Sequence, residues 1–265
     1  MALAYDEYGS GSTIILLHGW GTSRRAWTAQ CSALANKHHV YAVDLPGFGQ
    51  SDPPPEPTMP AVANEIHLWL ESQSITQAVM IGWSIGGSAV LSYCEHYGDD
   101  CLNGVGIVDV SPKLGASPDW ELGEGTTLGS DILDKWVQEW GKNKTGLAHE
   151  IYSMGFRCPD QFASVIGELA AEAEFAHTEA AIALLVDAFS RDYRETVRNL
   201  RVPALLLYGD ESSSSNAFIR GFMVGAARQG HLEVFKKSGH CLMFENPDRF
   251  TSVLSKFTDD VAKKA

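Results

Sequence analysis

The stretch Val79–Leu91, VMIGWSIGGSAVL, decides how the rest of the chain is read. It opens apolar, tightens into Gly82-Trp83-Ser84-Ile85-Gly86-Gly87, and closes as a run suited to a helix. A serine between glycines, where a strand hands over to a helix, either completes a turn or presents a nucleophile. A serine hydroxyl is a poor nucleophile at neutral pH. It needs a base for its proton and donors for the oxyanion that forms. A tight strand–turn–helix elbow meets the geometric part of that need. Gly82 and Gly86, two residues to either side of Ser84, remove side chains that would collide with the turning backbone. The helix that follows turns its first N–H groups toward developing negative charge.

Outward from this stretch, short apolar runs alternate with helical patterns. Thr13–Leu17, Val40–Val43, Ala78–Ile81, Val105–Val108 and Ala204–Leu207 read as buried strands, and His231–Phe235 as a weaker, alternating one. Helices are expected over Trp27–Asn36, Met59–Ser72, Gly87–Tyr97 and Asn216–Gln229. A last one should run from Pro247 to the end, with Asn246 as its cap. The order predicts an α/β fold with a mostly parallel central sheet flanked by helices. From Ser111 to about Arg201 no strand is evident. Helices are expected over Asp131–Trp140, Leu147–Met154, Asp160–Ala176 and Glu179–Phe189. Several helices between two strands exceed what one crossover needs. Residues 112–201 are therefore expected to form a helical cap, with 1–111 and 202–265 as the core.

Two distant stretches complete the chemistry. His18-Gly19-Trp20-Gly21 leaves the end of the first clear strand. Such a turn can aim the Trp20 N–H at an oxyanion, with the Ile85 N–H as the second donor. His18 is expected to brace this loop. Gly239-His240 lies in a loop between the last strand and the last helix, where an imidazole can be brought over Ser84 as its base.

Composition narrows the partners. The 265 residues carry a formal net charge of −13, which disfavours nucleic acid and anionic membranes and suits neutral or apolar small-molecule substrates. Five scattered cysteines without C-x-x-C spacing argue against a disulfide framework or zinc site and for a reducing cytoplasm. The first residues, MALAYDEYGS, lack a basic or apolar targeting pattern, and no apolar run approaches the roughly 20 residues of a spanning helix.

Taken together, HGWG (residues 18–21), DLPGFGQSD (44–52), GWSIGG (82–87), VPALLLYGD (202–210) and SGHCLMFENP (238–247) resemble the α/β-hydrolase superfamily along nearly the whole chain. Within it they resemble carboxylesterases related to the pimeloyl-carrier-protein methyl ester esterase, small cap-bearing esterases and cofactor-free haloperoxidase-like enzymes. The resemblance implies an α/β-hydrolase fold with the helical cap inserted after the sixth strand. It also implies a Ser-His-acid triad. The usual acid is an Asp three residues after the glycine that ends a late strand. Here that glycine is Gly209, and the position holds Ser212. Three acids can take the role: Asp109 at the end of the preceding core strand, which is preferred, Asp210, or Glu211.

The expected activity is hydrolysis of small to medium carboxylic esters, with Ser84 as nucleophile and no metal or organic cofactor. Apolar and aromatic residues of the cap are expected to help roof a pocket. Trp83, Met243 and Phe244, with Trp20, are its candidates by position. Two other readings stay open. One is a perhydrolase or carbon–carbon bond hydrolase on the same triad, and the other a weakly catalytic ligand receptor. Arg191, Arg194, Arg198 and Arg201 could mark a surface for an acidic carrier protein, but interspersed acids favour a salt-bridged helix surface.

Overall fold

The computed structural model describes residues 3–120, 130–212 and 214–263. Seven strands form one sheet: β1 (Tyr5–Gly9), β2 (Ser12–Leu17), β3 (His38–Val43), β4 (Ala78–Trp83), β5 (Leu102–Val108), β6 (Ala204–Gly209) and β7 (Gly230–Phe235). Their spatial order is β1-β3-β2-β4-β5-β6-β7. Only β1 runs antiparallel, pairing Tyr5 with Val43 through Gly9 with His39. The central strands are apolar on both sides because helices cover both faces. Ile14, Ile15, Leu16 and Leu17 are all fully buried.

The helices are α1 (Thr28–Leu34), α2 (Met59–Ser72), α3 (Ile85–Tyr97), α4 (Ser130–Trp140), α5 (Lys144–Gly155), α6 (Ala163–Ala171), α7 (Thr178–Ser190), α8 (Arg194–Asn199), α9 (Ala217–Ala226), α10 (Leu242–Glu245) and α11 (Pro247–Ala262). α1 packs on α11, and α2 on α3. Local signals explain where several begin. The Thr58 hydroxyl accepts from Ala61 N–H at 3.3 Å to start α2, and Asn216 accepts from Ile219 N–H at 2.9 Å to start α9. Among the described residues no helix is long and apolar enough to cross a membrane.

Helices α4–α8 form an insertion between β5 and β6. Its two ends meet at an isolated antiparallel bridge between Lys113 and Asp192. The insertion follows the fifth strand in chain order and not the sixth, because only one strand, β1, precedes the strand pair β2–β3. β1 itself escapes a search for apolar runs. Its sequence YDEYG is half-charged, and it lies at the sheet edge, where one side stays wet. Two further expectations are corrected. The single helix over Asp160–Ala176 is α6 alone, with a tighter 3₁₀ turn at each end (Pro159–Phe162 and Glu172–Phe175). Asn246 stands at the N-cap position of α11, and its carbonyl accepts from Phe250 N–H at 2.9 Å, but its side chain makes no capping bond. Its side-chain amide donates to Ser238 Oγ at 2.7 Å, which ties down the loop before α10 instead.

Candidate active site

The chain leaves β2 outward to β3 and returns to β4 on the other side of β2. Such a reversal opens a crevice at the carboxyl ends of the strands, where ligands of open α/β sheets bind. Several loops reach this edge, and four of them concern the expected site residues. They carry Gly19-Trp20 after β2, Ser84 after β4, Asp109 after β5 and His240 after β7.

Ser84 sits between β4 and α3 with φ 55° and ψ −123°. Among the described residues only four non-glycine residues have positive φ, and two of them are Ser84 and Asp109. Each such conformation costs about 1–3 kcal/mol and persists only where its surroundings enforce it. At Ser84 they do. Its N–H donates to Val108 O at 2.9 Å, and its own carbonyl accepts from Gly87 N–H at 2.8 Å. A Cβ on Gly82 would lie 2.0 Å from Gly86 O, and one on Gly86 would lie 2.5 Å from Leu17 O. The two glycines therefore let the elbow close on itself and on β2, as the spacing predicts.

His240 Nδ1 lies 2.7 Å from Asp109 Oδ2, with the imidazole 14% exposed and the carboxylate not at all. A proton on Nδ1 donated to that carboxylate leaves Nε2 as a base. The loop is pinned on several sides. His240 N–H donates to Gly155 O at 2.7 Å, and its carbonyl accepts from Trp83 Nε1 at 3.1 Å. Glu245 accepts from Gly239 N–H at 2.6 Å and from Arg157 N–H at 2.8 Å. Burial raises the Glu245 carboxyl above its ordinary value, and these two N–H donors oppose the rise.

The three candidate acids are sorted by these contacts. Asp109 reaches the imidazole. Asp210 turns to Ser238 N–H at 3.3 Å and Lys236 Nζ at 3.6 Å, and Glu211 pairs with Arg157 Nε at 2.8 Å. Ser212, at the position where an acid is usual, donates its hydroxyl to Asp109 Oδ2, the same oxygen that faces His240. Ser215 donates to Oδ1 at 2.9 Å, and Gly209 N–H donates there at 3.3 Å. The serine run that breaks the expected motif thus solvates a carboxylate supplied from the neighbouring strand. No spacing in the chain links Ser212 and Ser215 to Asp109. The only signal was a polar run where an acid was due.

Ser84 and His240 line one cavity of about 440 Å³, together with Trp20, Ile85 and Trp83. As the first residue of α3, Ile85 has no intrahelical acceptor for its N–H. Most of the remaining wall is apolar and comes from the insertion, including Ile132, Trp136, Ile151, Tyr152, Leu185 and Phe189. Met243 and Phe244 do not line this cavity. They lie on α10. Met243 is fully buried and its carbonyl accepts from Gln30 at 3.2 Å, while Phe244 packs on Trp83 and Phe156.

His18 is a brace. Its Nδ1 lies 2.7 Å from Gly19 O, and its Nε2 accepts from Leu45 N–H at 2.9 Å. Burial lowers its pKa, in the direction of the neutral ring that accepting from Leu45 N–H requires. The arginine series is salt-bridged as its pattern suggests. Arg191 pairs with Asp187, Arg194 with Asp192 and Asp119, Arg198 with Glu195, and Arg201 with Asp99 and Asp100. Among the described residues no group of three His, Cys, Asp or Glu side chains could hold a metal ion.

Known proteins share this architecture. The pimeloyl-[acyl-carrier protein] methyl ester esterase of Vibrio cholerae is 25% identical over 257 residues, covering 97% of this chain and 98% of that protein. An esterase from Exiguobacterium antarcticum superposes with a TM-score of 0.89 at 19% identity, over 97% of this chain and 95% of that one. A bromoperoxidase from Bacillus anthracis superposes with a TM-score of 0.89 at 23% identity, over 97% and 95%. Identities this low between structures speak to the fold alone. Residues 14–253 match the model of the alpha/beta hydrolase family, and with the elbow and the sheet order that match makes the chain a member of that family.

Proposed function

We propose that the protein is a carboxylic ester hydrolase that works through an acyl-enzyme on Ser84. One observation carries the reading. A serine held in a strained elbow shares a cavity with an imidazole whose other nitrogen lies 2.7 Å from a buried carboxylate. Membership of a hydrolase family and likeness to an ester hydrolase of Vibrio cholerae support the reaction class.

In this mechanism His240 Nε2 takes the Ser84 hydroxyl proton as Oγ attacks the ester carbonyl carbon. The N–H groups of Trp20 and Ile85 hold the tetrahedral oxyanion. Each such donor is worth about 2.7–4 kcal/mol of transition-state stabilisation. The tetrahedral species collapses, the carbon–oxygen bond to the leaving group breaks, and His240 returns the proton to the departing alcohol. Water then attacks the acyl group while His240 takes its proton, and collapse frees the acid and restores Ser84. Asp109 keeps the imidazole in the right tautomer and stabilises its charged form. Ser212 and Ser215 hold Asp109 in turn.

The apolar wall suits uncharged acyl groups of small to medium size. Trp83 belongs to that wall, and Met243 and Phe244 do not. Within this reading residues 112–201 are a cap over a core of 1–111 and 202–265. Five free cysteines suit a cytoplasmic setting, and the salt-bridged arginines leave a small-molecule ester as the partner.

A fluorophosphonate probe should label the wild-type protein, and Ser84→Ala should abolish labelling. A series of p-nitrophenyl esters of rising chain length should then locate the preferred acyl group. Folded wild-type protein that neither labels nor turns over any of these esters would sink the proposal.

A further inference from the structure

The proposed oxyanion donor Trp20 is held from the helical insertion on two sides. The Tyr152 hydroxyl, on α5, donates to the Trp20 carbonyl at 2.7 Å. The Trp20 indole Nε1 donates to Ala181 O, on α7, at 2.8 Å. The indole also packs against Trp140, with ring centroids 4.1 Å apart, and stacks on Trp136 at 6.3 Å. The carbonyl and the side chain of Trp20 are thus both located by contacts with helices that sequence places far from the β2 loop.

Helix α5 also reaches the base. Gly155, its last residue, accepts from both His240 N–H at 2.7 Å and Cys241 N–H at 3.3 Å. Tyr152 and Gly155 are three residues apart, about one turn of α5. One turn of α5 therefore touches the oxyanion loop at one end and the imidazole loop at the other.

We propose that Tyr152 is a positioning residue for the oxyanion hole: through its hydroxyl, α5 sets where the Trp20 N–H points relative to Ser84. This inference rests on the ester-hydrolase reading. The phenol is buried, and burial pushes its pKa well above the ordinary value, so it remains a donor across the working pH range. Its proton is used on Trp20 O and not on substrate. Loss of the hydroxyl leaves the Trp20 carbonyl without that donor and frees the loop to shift. A displacement on the order of 1 Å at a reacting centre costs as much as about 10²-fold in rate.

The experiment compares wild type with Tyr152→Phe, which keeps the ring and its packing. With a p-nitrophenyl ester, kcat should fall about 10–100-fold while KM changes less than about threefold. Affinity for an alkyl trifluoromethyl ketone, which forms the tetrahedral adduct, should fall in parallel with kcat. Affinity for the matching alkyl ether, which fills the cavity without an oxyanion, should hold. In NMR spectra of the free protein the Trp20 and Gly21 amide resonances should move. If Tyr152→Phe keeps wild-type kcat and ketone affinity, the positioning role is wrong. If ketone and ether affinities fall together, Tyr152 only shapes the cavity, and the role is again wrong. If wild type itself fails to turn over ester or take the fluorophosphonate label, the ester-hydrolase reading has failed instead, and the two failures are distinguishable.

Discussion

The loops after β5 and β6 sit side by side at the carboxyl edge of the sheet, because Val108 pairs with Leu207 in the parallel ladder. Both carry acids, yet they use them in opposite ways. The β5 loop holds Asp109 fully buried at φ 49°, pointed at His240 and surrounded by donors. The β6 loop spends Asp210 on Ser238 N–H and Lys236, and Glu211 on Arg157 at the surface. Toward Asp109, the described residues of the β6 loop contribute the hydroxyls of Ser212 and Ser215. A site needs a carboxylate at a point in space, and either of two adjacent strand ends can deliver it. The other then has to supply donors, because a buried carboxylate without them carries a heavy desolvation cost.

Four measurements test this contrast, in falling order of expected effect. Asp109→Asn should lower kcat by about 10⁴-fold, the scale of such lesions in serine triads. Asp210→Asn in the same assay should stay within about threefold of wild type, as a carboxylate outside the relay should. The reverse ranking would break the assignment. Next comes an exchange of the two positions. Asp109→Ser should be as inactive as Asp109→Asn, and adding Ser212→Asp should recover at least about 100-fold, since triads are defined by geometry and not by chain position. No recovery would mean that the β6 end cannot reach the imidazole.

Ser212→Ala tests the donors alone. Removing a hydrogen bond to a charged group should cost about 1.5–3 kcal/mol in urea unfolding. It should also slow kcat by roughly tenfold, as loss of an orienting contact does. An unchanged midpoint and unchanged kcat would leave the serine run without a role. Smallest of all, Glu211→Gln removes an exposed pair with Arg157 and should cost less than about 1 kcal/mol. A large loss of activity there would bring Glu211 back as a candidate acid.

Much of this site was legible in the chain because it depends on short-range geometry. An elbow needs glycines at fixed offsets from its serine, so Gly82, Ser84 and Gly86 declare themselves. Buried parallel strands need unbroken apolar runs, so the central strands do too. β1 stayed hidden because an edge strand is wet on one side, and its charges mask its pairing. Met243 and Phe244 are next to His240 in the chain yet absent from the lining of the Ser84 cavity, since nearness along the chain does not fix which side chains share a cavity.

The sequence alone determined that a serine elbow, a glycine-rich loop and a late histidine gather at one sheet edge, since each lies at the end of a strand in a parallel order. It named three acids and preferred Asp109, with Asp210 and Glu211 left open. The contact of Asp109 with the imidazole, the donors around that carboxylate and the hold of α5 on both Trp20 and His240 appear only in three dimensions. Each joins residues far apart in the chain, as when Tyr152 meets Trp20 across 132 positions and His240 meets Asp109 across 131. Which pairs meet at such distances is set by the packing of whole elements, and no local pattern of residue types encodes it.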